Sequence, residues 1–348
     1  MKKHLETDRL ILRPFEDRDY PLILKISSDP ETVKYLYHWG HPSTTPASDA
    51  HRFLSYAMDA WQQSPIRARE YCIVLKETGE ALGDGSVEYW GQDGKTAEIG
   101  WILTPEHRGK GYVTEMGKAL LHFAFEEMGV EKVIAHCDER NMPSQRVMLR
   151  LGMEKSELAF GVRPAKEKDG VPGDELTYAI TKDQYLHMLK AWEMQTLPCV
   201  FSGFMDLPDL TDGEIRLICH AKAPADPAKK YVPAYHFHIA LGSEVIGKID
   251  LRIGYTPGLY VGGNIGYSVD EKYRGHGYAG RACRLLLPVM RYHRMPLALI
   301  TNDVRNAPSR RVCEKLGLRH LGQMKVPYHN DMYTRGIYRV NIYALEDR

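Results

Sequence analysis

The chain has 348 residues, 43% apolar and 26% charged, which are the proportions of a soluble globular protein and the length of about two domains. Its formal net charge of +1 gives no electrostatic reason to expect nucleic acid or a membrane surface as a partner. Six scattered cysteines with no C-x-x-C pair fit a reduced, cytoplasmic protein without a zinc or other metal site.

The opening Met1-Lys-Lys-His lacks the apolar core of a signal peptide, and no later run reaches the roughly 20 apolar residues of a membrane span. Arg9-Leu-Ile-Leu-Arg-Pro-Phe15 alternates like a strand, and Asp17-Arg-Asp-Tyr-Pro21 opens a helix with proline in its first turn. A second helix is expected over about 48–62, where Phe53, Leu54, Ala57 and Trp61 recur at helical spacing. Strands follow over about 70–76, 81–90 and 95–103, divided by turns at Glu77-Thr-Gly79 and Gly91-Gln-Asp-Gly94. The loop 105–112 leads into a helix from about 113 to 128, with Met116, Leu120 and Phe123 on one face and Gly129 as its stop. Val130–Cys137 reads as a buried strand and 143–151 as a short helix, with Pro143 in its first turn and Gly152 at its cap. A hairpin around Lys168-Asp-Gly170 is expected before residue 181, and 183–198 reads as a helical connector. Beyond it, 235–253, 260–269, 297–302 and 336–345 are strand-like, and Pro288 should kink or shorten a helix.

Residues 96–152 recur near the C-terminal end. Ile99-Gly100 corresponds to Ile265-Gly266 and Gly109 to Gly275, a shift of 166; Asn141 corresponds to Asn306 and Gly152 to Gly317, a shift of 165. Trp101-Ile-Leu-Thr-Pro-Glu-His-Arg108-Gly-Lys-Gly-Tyr112 matches Tyr267-Ser-Val-Asp-Glu-Lys-Tyr-Arg274-Gly-His-Gly-Tyr278. A repeat of domain size predicts two copies of one fold, at 1–182 and 199–348, joined by the 183–198 connector.

Each copy sets Arg-Gly-x-Gly-Tyr between a strand and a helix. Glycines permit a tight turn and close backbone approach, so the loop N–H groups and the positive end of the helix dipole can face a phosphate. Neither loop completes G-x-x-x-x-G-K-[ST], which excludes a Walker loop, and the first does not complete G-x-G-x-x-G. A plain strand-to-helix turn would use the same residues, but recurrence in matched context favours phosphate.

With these motifs the sequence resembles the GCN5-related N-acetyltransferase (GNAT) superfamily, whose hallmark Gln/Arg-x-x-Gly-x-Gly/Ala wraps the pyrophosphate of acetyl-CoA. Arg274-Gly275-His276-Gly277-Tyr278-Ala279 satisfies it in full, and Arg108-Gly109-Lys110-Gly111-Tyr112-Val113 departs only at Val113. The N-terminal half resembles the ribosomal-protein N-terminal acetyltransferase branch through Leu5-Glu-Thr-Asp-Arg-Leu-Ile-Leu-Arg-Pro14, Ala97-Glu-Ile-Gly-Trp101 and Asp174-Glu-Leu-Thr-Tyr-Ala-Ile180. The resemblance implies two tandem α/β (α+β) domains, each a twisted mixed, largely antiparallel sheet flanked by helices, able to pack as a pseudo-dimer. It implies acetyl-CoA as co-substrate, no metal, and a primary amine as acceptor, either a small molecule or a protein N-terminus. It further implies that Ile102 and Leu103, with Ser268 and Val269, offer backbone groups to the pantetheine arm and thioester. Asn141, Ser144, Asn306 and Ser309 would lie beside that arm.

Transfer to an amine needs a neutral nitrogen, hence a general base, and a donor for the developing oxyanion. Glu98 is the candidate base of the first copy; otherwise it is a solvated carboxylate on an alternating strand. Asn264 takes its place in the second copy and cannot act as a base. His236 and His238 alternate onto one strand face there, and either substitute for it or are simply hydrogen-bonded. Asn141 and Asn306 also suit helix capping. The tyrosine that many members use as acid is replaced by Met148 and Cys313, which leaves Ser144 as the candidate in the first copy. Cys313 is either a proton donor or a small core residue. The expected function is N-acetyl transfer in the first copy; the alternative is that one domain, the C-terminal one by preference, only binds acetyl-CoA or is structural.

Overall fold

Two eight-stranded sheets of one plan account for most of the chain. The computed structural model describes residues 3–36, 40, 43–63, 65, 67–163, 172–229, 231–327 and 330–346, so the expected turn at Lys168-Asp-Gly170 lies outside the described residues. The chain divides into two compact units, Met1–Tyr185 and Leu186–Arg348.

The first sheet contains β1 (Leu5–Glu6), β2 (Leu10–Pro14), β3 (Ala68–Leu75), β4 (Ala81–Trp90), β5 (Thr96–Leu103), β6 (Lys132–Asp138), β7 (Glu154–Arg163) and β8 (Gly173–Thr181), in the order β1-β2-β3-β4-β5-β6-β8-β7. Every pairing is antiparallel except β5 with β6. A parallel neighbour needs a crossover, and the loop and helix between these strands supply it. Helices α1 (Tyr20–Ser28), α2 (Pro30–Val33) and α3 (Pro46–Ala60) join β2 to β3. Phe15, Ile23, Ile26, Ala50, Leu54 and Ala57 pack on Cys72 and Val74, so α1 and α3 cover one face of the sheet. Helices α4 (Tyr112–His122) and α5 (Met142–Arg150) follow β5 and β6, and α6 (Lys182–Met194) follows β8.

The second sheet repeats the plan with β9 (Leu210–Thr211), β10 (Ile215–Ala223), β11 (Ala234–Leu241), β12 (Glu244–Arg252), β13 (Ile265–Val269), β14 (Leu297–Asp303), β15 (Arg319–Lys325) and β16 (Arg339–Glu346). Again one pair, β13 with β14, is parallel. Helix α7 (Pro257–Gly262) precedes β13, α8 (Tyr278–Leu285) and α9 (Leu287–Tyr292) precede β14, and α10 (Ala307–Lys315) follows it. The expected break at Pro288 falls between α8 and α9, where Pro288 sits in the first turn of α9. The strand expected over 260–269 is half wrong: Thr256 caps Leu259 N–H and Pro257 opens a helix, so only 265–269 is extended. The units also differ over the sheet face. Only residues 224–233 join β10 to β11, and the described ones form no helix; on that face α6 and α7 instead pack Ala191, Tyr260 and Val261 against Leu297 and Leu299 of β14.

Glycine decides how closely β4 approaches β5. A Cβ on Gly83 would stand 2.0 Å from the Ile102 carbonyl oxygen, and one on Gly247 would stand 2.3 Å from that of Ser268. Both strands lean over their neighbour at matched places, which only a residue without a side chain allows. Gly83→Ala is therefore expected to destabilise the first unit by about 1–3 kcal/mol, read from the urea midpoint.

Candidate active site

The sheet of each unit opens at its parallel pair. β5 pairs with β6 at Thr96–Lys132, Ala97–Val133 and Glu98–Ile134, and the ladder then stops. β13 pairs with β14 at Ile265–Ile300 alone. Past these points Ile99–Leu103 and Gly266–Val269 keep ladder partners only on β4 and β12. Backbone polar groups inside a sheet are then left open to a ligand or water. Ile102, Leu103, Ser268 and Val269 all stand on these open edges.

The glycine loops close back onto the same strand ends. Arg108 Nε donates to the Leu103 carbonyl at 3.1 Å, and Arg274 Nε donates to that of Val269 at 3.0 Å. Gly109, Gly111, Gly275 and Gly277 have φ of 78°, 84°, 89° and 81°, the left-handed region open to glycine. Gly111 and Gly277 cap α4 and α8, so Tyr112, Val113, Tyr278 and Ala279 fall in first helical turns whose N–H groups lack helical acceptors. Nothing lies within 4 Å of a Cβ built on Gly109, Gly275 or Gly277, so the cradle is open on that side. Lys110 presents its carbonyl to Arg9 Nη1 at 3.0 Å, and His276 Nδ1 approaches the Tyr273 carbonyl at 3.2 Å.

A charged brace holds each loop helix, with its signs reversed between the units. In the first, Glu115 on α4 accepts from Arg9 Nε at 2.6 Å and from the Thr7 hydroxyl at 2.5 Å. In the second, the residue 166 positions on is Arg281, which donates to Asp212 at 2.5 Å and to Glu214. The brace thus sets a guanidinium beside the first loop and carboxylates beside the second.

Asn141 and Asn306 cap α5 and α10, accepting from the Ser144 and Ser309 N–H groups at 3.2 and 3.1 Å. The Tyr267 and Ser309 hydroxyls hydrogen-bond at 3.0 Å, linking β13 to α10 beside the opening. Met148 is buried, as is Cys313, whose thiol is pushed up to about 11 by burial; both are core residues.

Behind the opening of the first unit lies an acidic face. Glu98 is the last residue paired before the split, and His136 Nδ1 donates to its Oε1 at 2.8 Å. Burial opposes a charged imidazole, but the Glu98 carboxylate outweighs it and His136 is raised above its ordinary value. Glu88 stands directly across from Glu98, and burial, then the Glu98 charge, pushes it up. Deeper still, Glu70 and Asp84 are buried together, Asp84 only 4% exposed, with one of its oxygens lacking any hydrogen bond. Burial drives both up, Asp84 to about 7, so the two carboxyls hold a proton between them near neutral pH. The Tyr56 phenol on α3 is raised by burial and by all four of these carboxylates.

The second unit builds this region differently. Asn264 is fully buried; it donates to the Arg252 and Gly254 carbonyls at 3.0 and 2.8 Å and accepts from Leu299 N–H at 3.0 Å. It is a structural clamp. His236 Nδ1 instead donates to Asp250 Oδ1 at 2.8 Å, and the ring of His238 contacts that of His220 at 4.2 Å. Sequence reasoning singled out neither His136, the Glu70–Asp84 pair, Asp250, nor the Arg9–Glu115 brace. Strand alternation offered one signal: Glu70, Asp84, Glu88 and Glu98 all have even numbers, and the registers Glu70–Ser86, Asp84–Ile102 and Glu88–Glu98 set them on one face.

The family model for the acetyltransferase (GNAT) domain matches residues 9–154, within the first unit, and 178–319, which lies mostly in the second. The chain belongs to the GNAT family. It is 29% identical over 183 residues to the uncharacterized N-acetyltransferase YnaD of Bacillus subtilis, covering 52% of this chain and 99% of that protein. It is 26% identical to the FsC-acetyl coenzyme A-N(2)-transacetylase of Aspergillus fumigatus, covering 53% of this chain and 79% of that protein. A solved GNAT-family acetyltransferase from Bacillus anthracis is 28% identical, with 51% of this chain and 98% of that chain covered and a TM-score of 0.44. The chain is thus an acyltransferase of a family that uses acetyl-CoA, carrying two GNAT domains. Among the described residues no helix is long and apolar enough to cross a membrane, and no group of three or more His, Cys, Asp or Glu is placed to hold a metal.

Two outcomes follow from this electrostatics. Carboxyls raised on folding contribute stability that is full below the ordinary carboxylate range and is lost as pH rises through the folded value. The first unit is therefore expected to lose stability as pH rises from about 4 through about 7, where Asp84 titrates, and Glu70→Gln to flatten that slope in denaturant titrations. Glu98→Gln is expected to lower the His136 titration midpoint seen by NMR, because the opposing charge is gone and burial remains.

Proposed function

We propose that the first unit transfers the acetyl group of acetyl-CoA to a primary amine by direct attack, with Glu98 as general base. The observation that carries this is the place of Glu98: the last rung of the β5–β6 ladder, partly open, with His136 hydrogen-bonded behind it. Acetyl-CoA supplies the thioester-activated acetyl group. On this reading the amides of Gly109, Lys110, Gly111, Tyr112 and Val113 hold its diphosphate, with Arg108 fixing the loop to β5. The open backbone of Ile102 and Leu103 orients the arm and donates to the carbonyl oxygen. Asn141 and Ser144 border the arm, and Ser144 is the proton donor to the leaving thiolate. In the second unit Arg274, Gly275, His276, Gly277, Tyr278 and Ala279, with Ser268, Val269, Asn306 and Ser309, are read as the equivalent cradle.

The acceptor, a small molecule or a protein N-terminus, arrives as an ammonium. Glu88 and Glu98 stand opposite each other beside the split, and a cation is the group that such a pair draws in. Glu98 then takes one proton, directly or through a water, and His136 shares the charge that moves onto it. In a chain whose second loop is blocked by Gly277→Trp, Glu98→Gln is expected to cut kcat by about 10²–10⁴ and remove the acidic limb of the pH–rate profile while leaving acetyl-CoA affinity at the first loop unchanged. An unaltered profile contradicts the assignment.

A further inference from the structure

We propose that the second unit is a catalytic centre in its own right, in which His236, held by Asp250, takes the proton from an acceptor ammonium. The proposal goes beyond the first-unit reading and rests, as that reading does, on acetyl-CoA lying in the split of the sheet.

The argument starts from strand register. His236 on β11 stands opposite Asp250 on β12, and Asp250 stands opposite Gly266 on β13. These three residues form one row across three strands, on one face. Gly266 is the first residue past the single β13–β14 pair, so the row ends at the split. The corresponding row of the first unit is Glu70, Ser86 and Gly100, with no such pair. A Cβ on Gly266 would stand 3.9 Å from Asp250 Oδ2 and 3.5 Å from Arg252 Nη1, so the Asp250 carboxylate reaches the edge of the opening.

Chemistry follows from which nitrogen is occupied. A carboxylate on Nδ1 fixes the tautomer that leaves the lone pair on Nε2, and it stabilises the imidazolium once a proton is taken. The His236 and Asp250 side chains are 32% and 29% exposed, so an acceptor can reach them, in contrast to the buried Glu70–Asp84 pair. The groups facing His236 are Asp250, Arg252 at 3.6 Å from Asp250, the rings of His220 and His238, and Lys248 opposite His238. Asn264, at the place of Glu98, is wholly committed to backbone partners and leaves the role of base to this pair.

In the step, the ammonium gives one proton to His236 Nε2 and the freed nitrogen lone pair bonds the acetyl carbon. The C–S bond breaks, the thiolate takes the second proton lost by nitrogen, and the imidazolium releases its proton to solvent. Products are the amide and free CoA thiol.

The test uses the full chain carrying Glu98→Gln, with acetyl-CoA alone, with spermidine, and with a lysine-containing peptide. Thiol release is followed against pH, and the His236 ring resonances are followed by NMR as acetyl-CoA is added. The expected result is residual release that His236→Gln lowers by about 10²-fold or more, with loss of the acidic limb, and ring resonances that move with acetyl-CoA. Asp250→Asn, the positioning residue, should shift that limb while the fold, read by circular dichroism, stays intact. Residual release indifferent to His236→Gln overturns the base assignment. No release above the uncatalysed rate overturns catalysis by the second unit. Ring resonances that ignore acetyl-CoA show that the reading of the second split has itself failed.

Discussion

An interrupted hydrogen-bond ladder is the constraint on which the rest depends. A sheet gains stability by pairing every backbone group, yet each sheet here stops pairing at its one parallel joint. The break is built in from both sides. Gly83 and Gly247 let the outgoing strand lean over its antiparallel neighbour, and Arg108 and Arg274 pull the following loop onto the end of that strand. The left-handed glycines then turn the chain into α4 and α8, whose first-turn N–H groups lack helical acceptors. A slot with unpaired amides along one wall and a helix start at its end suits an amide-bearing arm tipped by a diphosphate.

Around this shared frame the two units have diverged in charge. The brace on the loop helix keeps its position and reverses its polarity, Arg9 to Glu115 in one and Asp212 and Glu214 to Arg281 in the other. An ion pair depends on having opposite partners and not on which strand carries which, so both arrangements hold the helix. Their long-range effect differs, because an anion meets a guanidinium beside the first loop and carboxylates beside the second. The sheet faces have diverged as well. A helix-covered acidic face in the first unit answers to one carrying His236 and His238 in the second.

Much of the fold was legible in the residues. Internal repetition revealed two domains, the glycine loops their turns into α4 and α8, and Pro288 the break between α8 and α9. Legibility failed where distant residues decide. Leu259-Tyr-Val261 carries strand-forming side chains, yet the Thr256 cap and Pro257 turn it into a helix. Strands β10 and β15 carry histidine, lysine and arginine and lack a clear apolar rhythm, because over much of each strand residues on both faces are partly or fully open to water. Glu98 was read from its place in a motif, whereas His136 and Asp250 gain meaning only once strand register sets them beside their partners.

The central claim, that both splits receive acetyl-CoA, is tested most directly by calorimetric titration of the intact chain. Two sites per chain are predicted, with Gly111→Trp and Gly277→Trp each removing one. A single site, or two sites indifferent to these substitutions, would contradict it.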